Sequence, residues 1–409
     1  MFLERSSGIM NHATERKSRT IFLFGMLVPI FLIVSLLISK INDAHTKDFA
    51  AYWQAGHMLL SGQDVYDSPT WIAERALLRT AFHSEPTFQY PLPFAIFFAP
   101  LAMLSVQSAY TFWIFLAQVA ILASIVILLS FYPARSGYIE LAIVAGIFLF
   151  RPAFSVIVGG QILPFLLFFV TIAIFLLDQK KWFWGGFILS LLSVKPSIGI
   201  PLLALAGIWL LSLKQWMGIL GMLVGGVALF LIGALVNPYW VVDYVNIGGD
   251  SFSKYFGMHP TLWGVVDKML IVNSRSLVAG MILALSIFLL EAYFFNKTHV
   301  GPFEAFAAIL PAGLLIAPYS WAYDQILLTV PIVYLVMSIS ISRGSKVAVL
   351  FLFGIVALAV VLVSVAYLVD HDVWSVMTPF LLWIFVRYFI NKKARLENWS
   401  TAGDILNDR

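Results

Sequence analysis

Apolar runs alternate with short polar segments along almost the whole chain. The runs cover residues 21–39, 108–131, 138–150, 162–177, 182–194, 198–213, 218–236, 277–295, 303–317, 325–341, 347–369 and 373–390. Many have the length of about 17 to 25 residues that a helix needs to cross a bilayer, and few carry a charge. Together they predict an all-α polytopic membrane protein with about twelve transmembrane helices. Residues 91–104 are apolar but short, with prolines at Pro91, Pro93 and Pro100. Runs of that length are more often interfacial than spanning, so a second surface helix is expected there.

Polar punctuation sets the expected orientation. Arg5, Arg16, Lys17 and Arg19 precede the first run, and Lys392, Lys393 and Arg395 follow the last. Basic residues favour the cytoplasmic side. Both termini are therefore expected inside, with residues 1–20 and 391–409 as tails. Residues 40–105 and 237–275 become the two sizeable outer loops, and the whole chain reads as one integral membrane domain. The sequence WGVVDKM within the second loop predicts another short helix. Arg151 and Lys195 stand apart from the pattern, because both fall at outer turns.

Composition narrows the class further. Of 409 residues, 61% are hydrophobic and 11% charged, against roughly 25% charged in a soluble domain. Mean hydropathy is +0.92. The absence of cysteine excludes disulfides and a thiolate nucleophile. A net charge of +4 lying in loops gives no surface for nucleic acid. Neither zinc-ligand spacing nor a P-loop nor a dinucleotide fingerprint is present, and no clustered carboxylate motif points to a divalent metal. No cofactor is expected.

The candidate chemistry gathers at outer helix ends. Asp48 opens the stretch DFAAYWQAGHMLL, whose aromatics repeat at helical spacing, as in a helix lying at the headgroup level. Asp48 could serve as the N-cap of that helix or as a general base facing a cavity. Gln89 and Tyr90, in FQYPLP, could line an acceptor site, as could Tyr52 and Gln161. Lys195 precedes Pro196, which fixes its position, and with Arg151 it could hold a lipid-borne phosphate; snorkelling toward the interface is the alternative. His259 before Pro260 is a further phosphate or sugar contact. In PYSWAYD, the residues Tyr319, Trp321, Tyr323 and Asp324 suit sugar binding by stacking and hydrogen bonding, whereas an interfacial aromatic belt would not need Asp324.

Six segments in this order resemble glycosyltransferase family 87, the polyprenol-phosphate-mannose-dependent mannosyltransferases of the GT-C superfamily. They are DFAAYWQAGHMLLSGQDVYD, FQYPLPFAIFFAPLAML, GGQILPFLLFF, GGFILSLLSVKPSIGIPLLAL, HPTLWGVVDKML and APYSWAYDQILLTVP. The resemblance implies a GT-C-like bundle that transfers a sugar, mannose in the family, from a polyprenyl-phosphate donor to a glycolipid or glycan hydroxyl. Transfer would take place on the outer face of the cell membrane, with inversion. It makes Asp48 the base and Lys195 the lysine of the family's Lys-Pro turn, and it makes the donor, the acceptor and membrane lipids the partners. Where many members carry histidines after the tryptophan, this chain has Ala322, Tyr323 and Asp324. Two alternatives differ in class: a transporter or flippase of lipid-linked sugars, and a GT-C enzyme using another sugar such as arabinose.

Overall fold

A computed structural model describes residues 25–80, 87–132, 136–255, 259–270, 274–369 and 372–407. The basic residues of the N-terminal tail, Arg135, Asp370 and His371 lie outside the described residues. Every regular element among the described residues is helical. The chain runs α1 (Gly25–Ile41), α2 (Phe49–Leu60), α3 (Ser68–Leu78), α4 (Leu92–Phe98), α5 (Val106–Ser130) and α6 (Gly137–Leu149). It continues with α7 (Arg151–Gly159), α8 (Leu163–Asp178), α9 (Trp182–Leu189), α10 (Pro196–Ser212), α11 (Trp216–Ala234) and α12 (Trp240–Tyr255). The last six are α13 (Leu262–Leu270), α14 (Ser274–Lys297), α15 (Pro302–Ile316), α16 (Thr329–Arg343), α17 (Ser345–Val369) and α18 (Met377–Asn407).

Each apolar run expected to span forms a helix. Among the described residues, six helices are long and apolar enough to cross a membrane on their own. A further pair, α6 and α7, bends by 56° at Phe150–Arg151. The shorter apolar helices include α8, α10 and α15, together with the α9 segment Trp182–Val194. These four share a cause. Gly160, Pro196 and Pro318 interrupt the helical ladder at one end of each, so the interrupted ends meet in a common region. Lys195, before Pro196, takes φ −122° and ψ 79°, and Ala317, before Pro318, takes φ −56° and ψ 136°. Both are the non-helical conformations that a following proline imposes. Irregular backbone at such depth is tolerated where protein encloses it or a cavity receives it.

Burial divides the bundle into a core and a lipid-facing shell. From Phe303 to Ile316, α15 is almost wholly buried, as is α16 from Thr329 to Met337. By contrast α11, α14 and α17 expose Leu223, Val227, Met281, Leu285 and Leu350. Apolar faces of that extent suit hydrocarbon rather than water.

The loops hold more helix than their composition suggests. Between residues 61 and 80 lies α3, announced by Asp67, whose carboxylate accepts from Thr70 N–H at 3.1 Å. The second loop contains α12 as well as the expected α13. With seven residues, α4 is about 10 Å long and too short to span. Neighbouring elements enclose α2. Phe49, Tyr52, Trp53, Gln54, Ala55 and Met58 are all buried, and Gly56 lies so close to α4 that a Cβ there would sit 2.8 Å from Phe98 C and O. Gln54 Nε2 donates to Trp71 O at 2.9 Å, and Thr80 Oγ1 donates to Gln54 Oε1 at 2.6 Å. The aromatics of α2 pack against α4 and α5, with Phe49 meeting Phe98, Tyr110 and Trp113 and Tyr52 meeting Phe94.

Candidate active site

Asp48 occupies the N-cap position of α2 but does not act as a cap. Its backbone is helical and its side chain makes no capping hydrogen bond. The carboxylate lies over the turn between α7 and α8: a Cβ on Gly159 would be 3.9 Å from Asp48 Oδ2. Gly160 makes this approach possible. It adopts φ +66°, and a Cβ there would stand 2.6 Å from Phe49 Cβ. Only glycine satisfies both the left-handed backbone and the contact with the start of α2. From α5, Tyr110 OH donates to Val158 O at 2.6 Å and Trp113 Nε1 donates to Gly160 O at 2.8 Å, which fixes the turn from behind.

From this turn Gln161 links two parts of the site. Its Oε1 accepts from Tyr52 OH at 2.9 Å, and its side chain hydrogen-bonds Tyr323. Tyr52 OH and Tyr90 OH are 3.0 Å apart, and Tyr66 OH donates to Tyr90 O at 2.7 Å. Burial holds the Tyr52 and Tyr90 hydroxyls well above their ordinary range, and the nearby Asp48 charge pushes the same way. They are therefore neutral hydrogen-bonding groups at physiological pH. Gln89 lies half-buried beside them, donating from Nε2 to Thr87 O at 3.3 Å.

Lys195 and Asp324 form the charged centre. They come from residues far apart in sequence and meet in a direct ion pair, with side chains 6% and 0% exposed. Asp324 Oδ2 accepts the Trp321 N–H at 2.8 Å and so caps the 3-10 segment Ala322–Leu328. Lys195 Nζ stands 4.9 Å from the centre of the Tyr323 ring. Trp321 and Tyr323 are stacked at 6.1 Å, and His259 meets Trp321 edge-on at 4.4 Å and Tyr319 at 5.8 Å. Asp48 lies within electrostatic reach of Tyr52, Tyr90, Tyr323 and Asp324. The expected site residues from opposite parts of the chain thus form one cluster.

Two of the expected cations sit differently from Lys195. Burial, reinforced by the Lys195 charge, lowers His259 to about 4, so the imidazole is neutral at physiological pH. Arg151 begins α7 and lines a small cleft with Ala322, Gln325, Ser375 and Thr378. Its charge acts on Asp372, which burial pushes up to about 6 against the opposing pull of the Ala322 N–H and Arg151. Arg151 and Lys195 therefore flank the 322–328 segment, each with its own carboxylate.

Sequence reading passed over Asp372, Gln325, Tyr66 and Tyr244. The Tyr244 side chain is near enough to act on both Tyr66 and Tyr319, which carries α12 into the cluster. Only the Asp-His-Asp turn at 370–372 offered a visible signal, as an outlying charge group beside an apolar run. Among the described residues no three His, Cys, Asp or Glu side chains gather closely enough to hold a metal ion.

A multi-span helical bundle with a carboxylate, a lysine and stacked aromatics at its interrupted helix ends has the make-up of a membrane glycosyltransferase. The family model of glycosyltransferase family 87 matches residues 88–364, and the chain belongs to that family. The match begins after the Asp48 segment. No curated protein and no solved structure matches the chain.

Proposed function

We propose that this glycosyltransferase moves a sugar, mannose in our reading, from a polyprenyl-phosphate donor to a hydroxyl of a glycolipid or glycan on the outer face of the cell membrane. The acceptor oxygen attacks the anomeric carbon from the side opposite the phosphate. The bond from that carbon to the phosphate oxygen breaks, the phosphate leaves as an anion, and Asp48 takes the acceptor proton. The anomeric centre is inverted. A phosphate leaving group needs little acid assistance, so one base suffices.

Lys195 receives the departing phosphate, with Arg151 adding positive charge from the other side of the 322–328 segment. His259, being neutral, contributes a hydrogen bond rather than a charge. Trp321, Tyr323 and Tyr319 offer ring faces to the sugar. Tyr52, Tyr90, Gln161 and Gln89 offer it, or the acceptor, hydroxyl and amide groups. The prenyl chain lies along the apolar helices, open to lipid.

One observation carries this reading. An Asp48 carboxylate that does no capping work shares a cluster with a buried lysine. The test is Asp48→Asn in membranes supplied with polyprenyl-phosphate mannose and a membrane glycolipid extract. Loss of a general base lowers turnover by about 10² to 10⁴. Protein abundance and thermal unfolding are measured alongside, so that turnover is expressed per folded molecule. Wild-type turnover in this variant removes Asp48 from the mechanism.

A further inference from the structure

The sequence places Asp324 among the sugar contacts, but its surroundings suit another task. Its side chain is fully buried, one oxygen is taken by Lys195 and the other by the Trp321 N–H. A sugar hydroxyl needs an exposed carboxylate oxygen, and the Asp324 side chain is 0% exposed. We propose that Asp324 is a positioning residue: it fixes the direction of the Lys195 ammonium, so that the ammonium's remaining donors meet an incoming phosphate. This rests on the reading of Lys195 as the phosphate-holding cation.

Three features support it. First, the carboxylate is itself held. By capping the segment Ala322–Leu328 it cannot swing aside without opening that turn, so its grip on Lys195 is rigid. Second, Lys195 depends on it. Asp324 is the hydrogen-bond acceptor the structure gives Lys195 Nζ, and the Tyr323 ring covers the ammonium at 4.9 Å. An ammonium has three donors, so capacity remains for another anion. Third, the other titratable groups around the pair stand differently. His259, on the segment leading into α13, is neutral beside Lys195, Tyr323 lies on the same segment as Asp324, and the carboxylates of Asp48 and Asp372 act on Asp324 itself. Without Asp324 the ammonium, on a side chain only 6% exposed, loses the acceptor that aims it.

The test uses the full chain in phosphatidylcholine nanodiscs and a sugar-free polyprenyl monophosphate as probe. Wild-type protein is expected to bind the probe, and Lys195→Met to lose it. Asp324→Asn is expected to bind about tenfold more weakly, because the ammonium is no longer aimed. Asp324→Glu keeps the charged acceptor and is expected to bind between that variant and wild type, because the longer side chain displaces the ammonium. A sugar contact would leave the sugar-free probe unaffected. Wild-type affinity in Asp324→Asn therefore overturns the proposal. If that variant does not accumulate, wild-type affinity in Asp324→Glu overturns it equally. Absence of probe binding by the wild-type protein defeats the underlying phosphate reading as well, which separates the two failures.

Discussion

Among the described residues, two ion pairs with a fully buried carboxylate join distant parts of the chain, and they are built differently. Lys195 and Asp324 meet where helices are interrupted: Lys195 between a 3-10 turn and α10, Asp324 in the 3-10 segment before α16. Glu291 and Arg387 meet in the middle of continuous helices, α14 and α18. Arg387 lies about 18 Å by helical rise beyond Ser375, which hydrogen-bonds Gln325 near the site. Its guanidinium is spread over several partners. Arg387 Nη1 is 3.6 Å from Glu291 Oε2, Nη2 donates to Leu290 O at 3.3 Å, and the group lies 3.4 Å from the Phe294 ring centre. Glu291 Oε1 accepts from Trp383 Nε1 at 2.6 Å. That is a cross-helix lock set within continuous helices, one guanidinium held by a carboxylate, a carbonyl and a ring. The Lys195 ammonium instead stands beside aromatic rings at a break in the backbone. Buried charge alone does not mark a site; buried charge beside sugar-sized ring faces at interrupted helix ends does.

Substitutions can break this contrast. The largest difference is expected between Lys195→Met and Glu291→Ala. Each leaves a buried charge unpaired, which costs about 3–5 kcal/mol of stability. Lys195→Met is also expected to lower sugar transfer by at least about 10², whereas Glu291→Ala protein that reaches the membrane should keep its turnover per molecule. Equal loss of turnover per folded molecule would erase the distinction. Replacing both partners sharpens it: Lys195→Met with Asp324→Leu should recover thermal stability without recovering transfer, since apolar replacements of a whole pair are often neutral or stabilising.

A smaller effect is expected from Gly160→Ala. The added methyl meets Phe49 Cβ and the left-handed backbone disfavours it, at a cost of about 1–3 kcal/mol, together with displacement of Asp48. Gly226→Ala, within α11 and with open space around it, is the matched control and should fold normally. Thermal unfolding and transfer measured side by side distinguish a local displacement from a general loss.

The smallest effect concerns pH. His259 falls from 6.5 to about 4 on folding, so the unfolded chain binds its proton more readily, and stability drops as pH falls from about 6.5 toward 4. Asp372 rises from 3.8 to about 6, so the folded chain binds its proton more readily, and stability drops as pH rises across that interval. The two slopes oppose each other over much of one window. Asp372→Asn should expose the histidine slope, and His259→Phe the carboxylate slope, in unfolding temperatures recorded in detergent across that range.

Much of the fold was legible in the sequence. Long apolar runs named the spans, and Pro196 and Pro318 named the interruptions, because proline removes a donor and restricts its predecessor wherever it lies. The stretch 47–67 showed its helix but not its surroundings: the same aromatic spacing serves a helix in the headgroup layer and one enclosed by protein. The helix α12 escaped notice because WVVDYVNIGGDSFSKY mixes two glycines and polar residues into a loop-like composition. For the site, Asp48, Lys195 and Asp324 each stood out as charges in unlikely places, but their grouping did not.

What the sequence determined by itself is the solvent, the helical class and the places where helices stop, since these depend on local composition and on backbone chemistry. Only the tertiary structure decided that Asp324 pairs with Lys195, that Asp48 makes no capping hydrogen bond to its own helix, and that Arg151 has Asp372 for company. Such pairings depend on which distant turns pack together, and a charge has the same local pattern whether its partner is a ligand, a lipid or another side chain.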